Sequence, residues 1–331
     1  MLNLLFLGNS YTFQNDLDER TREALTQLAA DTWTEGETRR LAEGGYTFVN
    51  HLARTEEAGS AWQLALADGT AAWDWVVLQE QSQIPGFPTT QGEYRASVDA
   101  AVALDDLAEA RGAQVIFLNT WGRRDGDAQN PDRFPDFPTM EGHLEEGYRA
   151  YRDATSTEAR PTYVAPAGPA FARVYNNVLA AGGDPAAPDS DFTRLYSADG
   201  SHPSPLGTWL VAYVLAASLT GESPVGLPTP SGLAEADALM VQTAAADTVF
   251  DEALGYTYPW PKPVDTGTDT GTGGDTGTGT DSGADTAASG DTAADTGAAP
   301  TGCGCSSAAG AWAPAATTLA FALSRRRRPR A

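Results

Sequence analysis

Residues 2–12 read Leu2-Asn3-Leu4-Leu5-Phe6-Leu7-Gly8-Asn9-Ser10-Tyr11-Thr12. The apolar run 4–7 is short and uninterrupted, as is typical of a buried strand. Gly8 and Asn9 end this run, and the apolar spacing of a helix follows from residue 16 onward. The pattern therefore predicts that Ser10 lies where a buried strand ends and a helix begins.

Strand-like and helix-like segments alternate along the chain as far as residue 254. The apolar patterns predict strands over 2–7, 73–78, 115–118 and 162–165, and helices over 16–31, 94–111, 142–154, 205–219 and 233–254. Strands separated by helices indicate an α/β fold of three α/β/α layers with a parallel central sheet. Ligand sites in such sheets lie beyond the carboxyl ends of the strands. Ser10, Gln79 and Trp121 each follow a predicted strand and are therefore expected at one edge.

A second motif, Asp199-Gly200-Ser201-His202-Pro203, offers a carboxylate and an imidazole three residues apart. Together with Ser10 it supplies the hydroxyl, general base and base-orienting acid that nucleophilic acyl transfer needs. An Asp-x-x-His sequence can also cap a helix, here the one predicted from Pro205. Its occurrence in one chain with Gly-x-Ser after a strand favours the catalytic interpretation.

The other two histidines are interpreted as structural. His51 lies on a predicted helix, and His143 lies at a helix start, where a solvated side chain is favoured over a metal ligand. Residues 1–264 contain no cysteine, which excludes a disulfide and a thiolate metal site in that part of the chain. The sequence predicts neither a metal nor a cofactor.

The chain is strongly acidic, with a formal charge of −23 at pH 7. Removing the seven Asp of residues 265–300 and the five Arg of residues 325–331 leaves −21 for residues 1–264. Binding to nucleic acid needs a basic surface against the phosphates, so this charge argues against nucleic acid as a partner. It also disfavours highly anionic polymers as substrates.

The motifs and their order resemble the sequence blocks of the SGNH (GDSL-like) hydrolase superfamily, over about residues 1–254. Gly8-Asn9-Ser10-Tyr11-Thr12 is similar to the first block, with Gly-Asn-Ser in place of the more usual Gly-Asp-Ser. Glu43-Gly44-Gly45-Tyr46-Thr47 resembles the second block. Asp199-Gly200-Ser201-His202-Pro203 resembles the fifth.

The resemblance implies a role for each of these residues. Ser10 would be the nucleophile, His202 the general base and Asp199 the acid that orients it. The backbone N–H groups of Ser10 and Gly45 would donate to the oxyanion hole, the set of donors that holds the negative oxygen of the tetrahedral intermediate. The fold implied is a flavodoxin-like α/β/α sandwich.

The third block departs from the family. Its usual asparagine, whose amide completes the oxyanion hole, is absent from Leu78-Gln79-Glu80-Gln81-Ser82-Gln83. Likeness to an uncharacterised branch with a Leu-Gln-x-x-Ser pattern favours Gln79 as the replacement donor, whereas counting from the strand start favours Gln83. Ser82 is a third possible donor.

The C-terminal region is predicted to be separate from the hydrolase domain, residues 1–262. Residues 263–302 are rich in Asp, Thr and Gly and lack the apolar content of a packed core, which predicts a disordered linker. Residues 303–331 contain Cys303 and Cys305, a modestly apolar span and an Arg cluster. They resemble a MYXO-CTERM sorting signal, which implies anchoring at the cell surface or outer membrane. No export signal is visible at Met1, and the sequence leaves open a start further upstream or another export route.

The resemblance implies a serine esterase that hydrolyses small acyl esters through an acyl-Ser10 intermediate, with an acetyl ester on a carbohydrate as the expected substrate. An acyltransferase on the same scaffold is one alternative. The missing asparagine suggests another, a catalytically degenerate surface binding module.

Overall fold

The computed structural model describes residues 2–29, 34–68 and 72–261. The chain divides into two units, Met1–Asp265 and Thr266–Ala331, and the described residues belong to the first. The predicted linker, 263–302, and the predicted sorting segment, 303–331, lie outside the described residues, so both stay predictions.

Five parallel strands form the sheet in the order β2-β1-β3-β4-β5. Their bounds are β1 Leu2–Gly8, β2 Glu35–Ala42, β3 Trp75–Leu78, β4 Gln114–Leu118 and β5 Tyr163–Ala165. β1 lies between β2 and β3, with Leu7 opposite Leu41 on one side and Leu78 on the other. This order is the flavodoxin-like one, so the predicted fold class is confirmed.

Helices cover both faces of the sheet. Their bounds are α1 Ser10–Phe13, α2 Leu17–Leu28, α3 Phe48–Glu56, α4 Gly92–Glu109, α5 Phe137–Thr155, α6 Ala167–Ala180, α7 Asp191–Arg194, α8 Pro205–Thr220 and α9 Glu235–Val249. Short 3₁₀ turns lie at Gln14–Asp16, Ile84–Gly86 and Glu252–Leu254, and a π turn at Gln63–Ala67.

Alternate residues of each strand point into two separate cores, because side chains along a strand alternate between its faces. On β1, Leu4 and Phe6 pack with residues of α2, α6, α8 and α9. Leu5 and Leu7 pack on the other face with residues of α3, α4 and α5. α8 is buried along nearly its whole length, which accounts for its almost uniformly apolar sequence.

Two elements escaped the sequence prediction. β2 reads Glu35-Gly36-Glu37-Thr38-Arg39-Arg40-Leu41-Ala42, and charges on a strand at the sheet edge hide the apolar signal while protecting that edge from pairing with other chains. α6 begins Ala167-Gly168-Pro169, a sequence typical of a loop, yet proline is tolerated in the first turn of a helix. α5 also begins five residues earlier than predicted, with Pro138 in its first turn.

The described part of the chain has no helix that is both long enough and apolar enough to cross a membrane.

Candidate active site

The carboxyl end of β1 leads directly into the first candidate residue. Asn9 caps α1, its side-chain oxygen accepting a hydrogen bond from Tyr11 N at 3.1 Å. Ser10 is the first residue of α1, so its N–H has no acceptor within the helix. The Ser10 hydroxyl therefore lies at the carboxyl edge of the sheet, where this fold places its ligand sites.

The structure brings Ser10, His202 and Asp199 into one hydrogen-bonded line. His202 Nε2 lies 2.8 Å from Ser10 Oγ, and His202 Nδ1 lies 2.5 Å from Asp199 Oδ2. The other carboxylate oxygen of Asp199 accepts the backbone N–H groups of Ser201 and His202, each at 3.0 Å. Partial burial opposes ionisation of Asp199, but the ring and backbone hydrogen bonds outweigh it and hold its pKa below the ordinary value. An ionised Asp199 orients the imidazole so that Nε2 can accept the proton of Ser10.

Aromatic packing fixes the loop that carries His202. The Tyr11 ring stacks on Trp121 at a centroid distance of 4.8 Å, and Trp121 stacks on Phe171 at 4.6 Å. Trp121 Nε1 donates to Ser201 O at 3.1 Å, and the Tyr11 hydroxyl lies 2.6 Å from Ser201 Oγ. Trp121 is fully buried, so it supports the site from the core and does not line the pocket.

The loop after β2 carries the second predicted donor. Gly45 has φ +71°, in the left-handed region that favours glycine. The neighbouring Tyr46 carbonyl accepts a hydrogen bond from Asn9 Nδ2 at 3.0 Å. Asn9, the residue before Ser10, is thus hydrogen-bonded to the Gly45 loop. This contact needs an amide, because an ionised aspartate could not donate.

The structure corrects the assignment of Gln79. This side chain is fully buried. Its Oε1 accepts from Asn9 N at 2.9 Å and from the Thr12 hydroxyl at 2.8 Å, and its Nε2 donates to Glu80 O. Gln79 is not among the residues that line the pocket around Ser10. Its amide is hydrogen-bonded to groups beneath the site. It is therefore not the oxyanion-hole donor that the sequence favoured.

The Gln83 amide also donates to residues that do not line this pocket. Its Nε2 donates to Asp127 Oδ2 at 2.5 Å and to Gln129 Oε1 at 3.0 Å. Gln81 does line the pocket, but its Nε2 donates to Gln83 Oε1 at 3.1 Å. Of the three donors considered from sequence, only Ser82 lines the pocket.

Sequence reasoning missed Arg123, which also lines this pocket. Arg123 follows β4 by five residues, so the rule that sites lie beyond strand ends could have singled it out. Its NH1 donates to Asp127 Oδ1 at 2.5 Å, and its NH2 lies 3.4 Å from Ser82 Oγ.

The pocket at Ser10 is small and lies beside a wider groove. It has a volume of about 150 Å³ and is lined by Asn9, Ser10, Tyr11, Gly45, Gln81, Ser82, Arg123, Ser201 and His202. A groove of about 320 Å³ shares Arg123 and Ser201 with it and has both charged and apolar walls, formed by Asp125, Asp127, Ala128, Pro131, Phe134, Pro135 and Asp199 among others. The site thus offers a narrow recess at the nucleophile and a wider, mixed polar and apolar space next to it.

His51 is a buried structural histidine. Its Nδ1 accepts from Trp62 Nε1 at 2.8 Å, so Nε2 carries the proton and donates to Gly8 O at 2.9 Å. Burial lowers the pKa of His51 to about 4. His143 lies 3.5 Å from Glu146 on the surface of α5. No group of three or more His, Cys, Asp or Glu side chains within 2–29, 34–68 and 72–261 is arranged to hold a metal ion.

Two buried carboxyl groups support the loops around the pocket. Glu80 accepts hydrogen bonds from the N–H groups of Phe48, at the start of α3, and of Gln81. Glu141 accepts from Gly122 N at 2.8 Å, and its other oxygen has no hydrogen-bond partner among the described residues. Burial raises the pKa of Glu80 to about 7 and that of Glu141 to about 8.

Comparison with known proteins was made by sequence and by structure. No family model matches the chain, and no curated protein matches it. A DUF4886 family protein from Bacteroides uniformis is 15% identical, covers 75% of this chain and 94% of its own, and has a TM-score of 0.56. A candidate SGNH hydrolase from Slackia heliotrinireducens is 28% identical over 65% of this chain and 97% of its own, with a TM-score of 0.47.

A catalytic mutant of an acetylxylan esterase from Geobacillus stearothermophilus is 16% identical over 64% of this chain and 91% of its own, with a TM-score of 0.42. The likeness to the Bacteroides protein shows a shared fold.

Proposed function

We propose that this chain, which has the fold of the SGNH hydrolases, is a serine esterase that cleaves small acyl esters. The proposal rests above all on the hydrogen-bonded line of Ser10, His202 and Asp199 at the carboxyl edge of the sheet. A degenerate binding module would have no reason to keep a serine hydroxyl 2.8 Å from an imidazole whose other nitrogen faces a carboxylate.

The first half of the reaction forms an acyl-enzyme. Ser10 Oγ attacks the ester carbonyl carbon while its proton passes to His202 Nε2, and the carbonyl π electrons move onto the oxygen. The backbone N–H groups of Ser10 and Gly45 donate to this oxyanion. When the oxyanion collapses, the bond to the alcohol oxygen breaks and His202 returns the proton to the leaving alkoxide. Asp199 stabilises the imidazolium that exists between these two events.

The second half hydrolyses the acyl-enzyme. His202 takes a proton from water, whose oxygen bonds to the acyl carbon and forms a second oxyanion. Collapse then breaks the bond to Ser10 Oγ, which regains its proton from His202, and a carboxylic acid leaves. An acceptor sugar hydroxyl in place of water would give acyl transfer.

The shape of the site supports an acetyl group on a carbohydrate as the substrate. The recess at Ser10, about 150 Å³, is below the roughly 300–1,000 Å³ of pockets that hold drug-sized ligands. It suits a short acyl chain. The groove beside it combines charged side chains, Arg123, Asp125 and Asp127, with the apolar Phe134 and prolines, which suits a sugar with its hydroxyl groups and apolar ring face. Rates on p-nitrophenyl esters should fall steeply from acetate to octanoate. Equal rates along that series would contradict an acetyl preference.

Ser10→Ala tests the proposed mechanism. It should lower the rate on p-nitrophenyl acetate by at least about 10³-fold, because the residue forms the covalent bond and triad members act as a unit. His202→Ala should be similarly damaging, whereas the surface change His143→Ala should leave the rate unchanged. Melting temperatures of all three variants show whether they are folded. A folded Ser10→Ala protein that retains the wild-type rate would rule out this mechanism. Product analysis with added acceptor sugars separates hydrolysis from acyl transfer.

We also propose that residues 303–331 anchor the enzyme at the cell surface, on the resemblance to a sorting signal around Cys303 and Cys305. Protease treatment of intact cells should release the hydrolase. Replacing both cysteines by serine should reduce the surface-bound fraction, and an unchanged fraction would contradict the proposal.

A further inference from the structure

The oxyanion hole lacks the side-chain donor that the family resemblance implies. The asparagine is absent. Gln79 and Gln83 donate to other acceptors and do not line the pocket, and Gln81, which does line it, already donates one of its two amide N–H groups to Gln83 Oε1. A missing donor in an oxyanion hole typically lowers kcat by about 10²–10³-fold. Another group at the pocket is therefore needed if the enzyme is to turn over at an ordinary rate.

Arg123 has donors to spare on the pocket wall. Its Nη1 donates to Asp127, whereas its Nη2 has a long contact of 3.4 Å with Ser82 Oγ. Its buried Nε has no hydrogen-bond partner among the described residues. Arg123 is also the only Lys or Arg among the residues that line the described pocket at Ser10.

Arg123 lies close to the reacting groups. It lines the same pocket as Ser10 and His202, and its Nη2 lies 3.4 Å from Ser82 Oγ. Burial raises the pKa of the Tyr11 phenol, and the hydrogen bond with Ser201 and the charge of Arg123 oppose that rise. The Tyr11 ring in turn meets the His202 ring edge-on, at a centroid distance of 5.4 Å.

A buried anchor holds the guanidinium in place. The Asp127 side chain is fully buried and also accepts hydrogen bonds from Gln83, Gln129 N and Asn130. Burial opposes ionisation of Asp127, but these bonds and the charge of Arg123 outweigh it and keep its pKa below the ordinary value. A donor fixed in this way needs no reorganisation when charge develops on the substrate.

We propose that Arg123 is the side-chain donor of the oxyanion hole, in place of the family's asparagine. This inference rests on the proposed esterase function. The negative charge of Asp127 balances the positive charge of Arg123. In the ground state, this ion pair therefore attracts a neutral ester only weakly. The guanidinium gains its main attraction only when the carbonyl oxygen becomes negative. The −21 charge of residues 1–264 argues against a role in capturing anionic substrates.

Arg123→Ala should lower kcat for p-nitrophenyl acetate by about 10²–10³-fold, with KM changed less than about threefold. Arg123→Lys, which keeps the charge but not the fork geometry, should lose less. Arg152→Ala is the matched control, since Arg152 pairs with Asp153 on α5 and does not line the pocket. It should keep wild-type kcat. Melting temperatures identify any variant that fails to fold, in which case Arg123→Lys and Arg123→Gln carry the test.

A second readout separates transition-state stabilisation from a structural role. Phenylboronic acid forms a tetrahedral anionic adduct with an activated serine, so its affinity should fall in the same proportion as kcat in the Arg123 variants. A loss confined to KM, and seen only with an ester that carries a carboxylate, would make Arg123 a substrate-binding residue and overturn the proposal. So would a loss in Ser82→Ala that equals or exceeds the loss in Arg123→Ala.

The two proposals fail in different ways. A wild-type protein without activity on any ester of the chain-length series contradicts the esterase function, and the assignment of Arg123 falls with it. An active wild-type protein whose Arg123→Ala variant is equally active contradicts the assignment of Arg123 alone.

Discussion

Asn9 is the residue at which this chain differs from the usual first block of the superfamily that its motifs resemble, and the structure supplies a reason. Its side-chain amide accepts a hydrogen bond from Tyr11 N and donates one to Tyr46 O. Aspartate could make the first contact but, when ionised, would place a negative oxygen against the Tyr46 carbonyl. The Gly-Asn-Ser sequence is thus matched to the position of the Gly45 loop.

Asn9→Asp should destabilise the protein by about 1–3 kcal/mol, the usual penalty for losing a buried partner. Position 9 is buried, so the pKa of the introduced carboxyl should rise above its ordinary value. The fraction that is protonated at pH 5 can still donate to Tyr46 O, so the loss relative to wild type should be larger at pH 8 than at pH 5. Urea unfolding at both pH values measures it. Asn50→Asp is the matched control, since the Asn50 oxygen only accepts from Thr47, at the start of α3. An equal loss in both variants would show that the Tyr46 contact is unimportant.

Gln79 and Arg123 show how similar polar residues after strands can acquire different roles. Gln79 follows β3 directly, and its side chain lies under the site, where it accepts a hydrogen bond from the buried Asn9 N–H. Arg123 is further from its strand and lies on the pocket wall. Proximity to a strand end brings a residue to the correct edge of the sheet, but it does not determine whether the side chain faces the pocket or the core.

The packing of α5 against the turn at Ile84–Gly86 sets the position of the loop that carries Ser82. Gly147 on α5 faces this turn so closely that an added Cβ would lie 1.9 Å from Pro85 O, which is backbone and cannot turn aside. The same helix has a second glycine, Gly142, beside which an added Cβ would meet nothing within 4 Å.

Gly147→Ala should therefore cost about 1–3 kcal/mol of unfolding free energy, as overpacking usually does, and should lower kcat because the loop before the turn shifts. Gly142→Ala should instead gain up to about 1 kcal/mol, since alanine favours a helix interior over glycine. Denaturant unfolding and esterase rates measure both effects. A stable and fully active Gly147→Ala protein would show that the helix can move without consequence for the site.

Two buried carboxyl groups tie the overall stability of the domain to pH. Unfolded glutamate has an ordinary pKa near 4.5, whereas the pKa is about 7 for Glu80 and about 8 for Glu141 in the folded protein. Between these values the folded state holds protons that the unfolded state has released, so the free energy of unfolding falls as the pH rises. Each group contributes a slope of about 1.4 kcal/mol per pH unit where the two states differ fully.

His51, with a pKa of about 4 in the folded protein and 6.5 when unfolded, acts in the opposite direction below about pH 6.5. The two glutamates outweigh this single group, so the wild-type free energy of unfolding, measured in urea, should be higher at pH 5 than at pH 8. Glu141→Gln, which removes one of the two ionisations, should flatten the decline between pH 5 and pH 8. Glu93→Gln, an exposed change at the start of α4, should leave the slope as it is. Parallel stability curves for wild type and Glu141→Gln would show that Glu141 is not protonated in the folded protein.

Local sequence patterns were enough to predict the parallel sheet and to identify the motifs that contain Ser10, Gly45, Asp199 and His202. Buried strands and amphipathic helices carry their environment in short apolar runs, and both catalytic motifs follow such runs or precede a helix. The edge strand β2 could not be predicted in this way, because charged residues interrupt its apolar pattern. Its pairing with β1 is known only once the sheet is assembled.

The proposed donor of the oxyanion hole could be assigned only from contacts between distant parts of the chain. Gln79 meets Asn9 across 70 residues, and Arg123 meets Ser82 across 41. Spacing along the sequence can bring several polar residues to one edge, but the choice among them follows from which hydrogen bonds are already satisfied. That balance of donors and acceptors exists only in the packed structure, because buried polar groups take whichever partner the fold brings within reach.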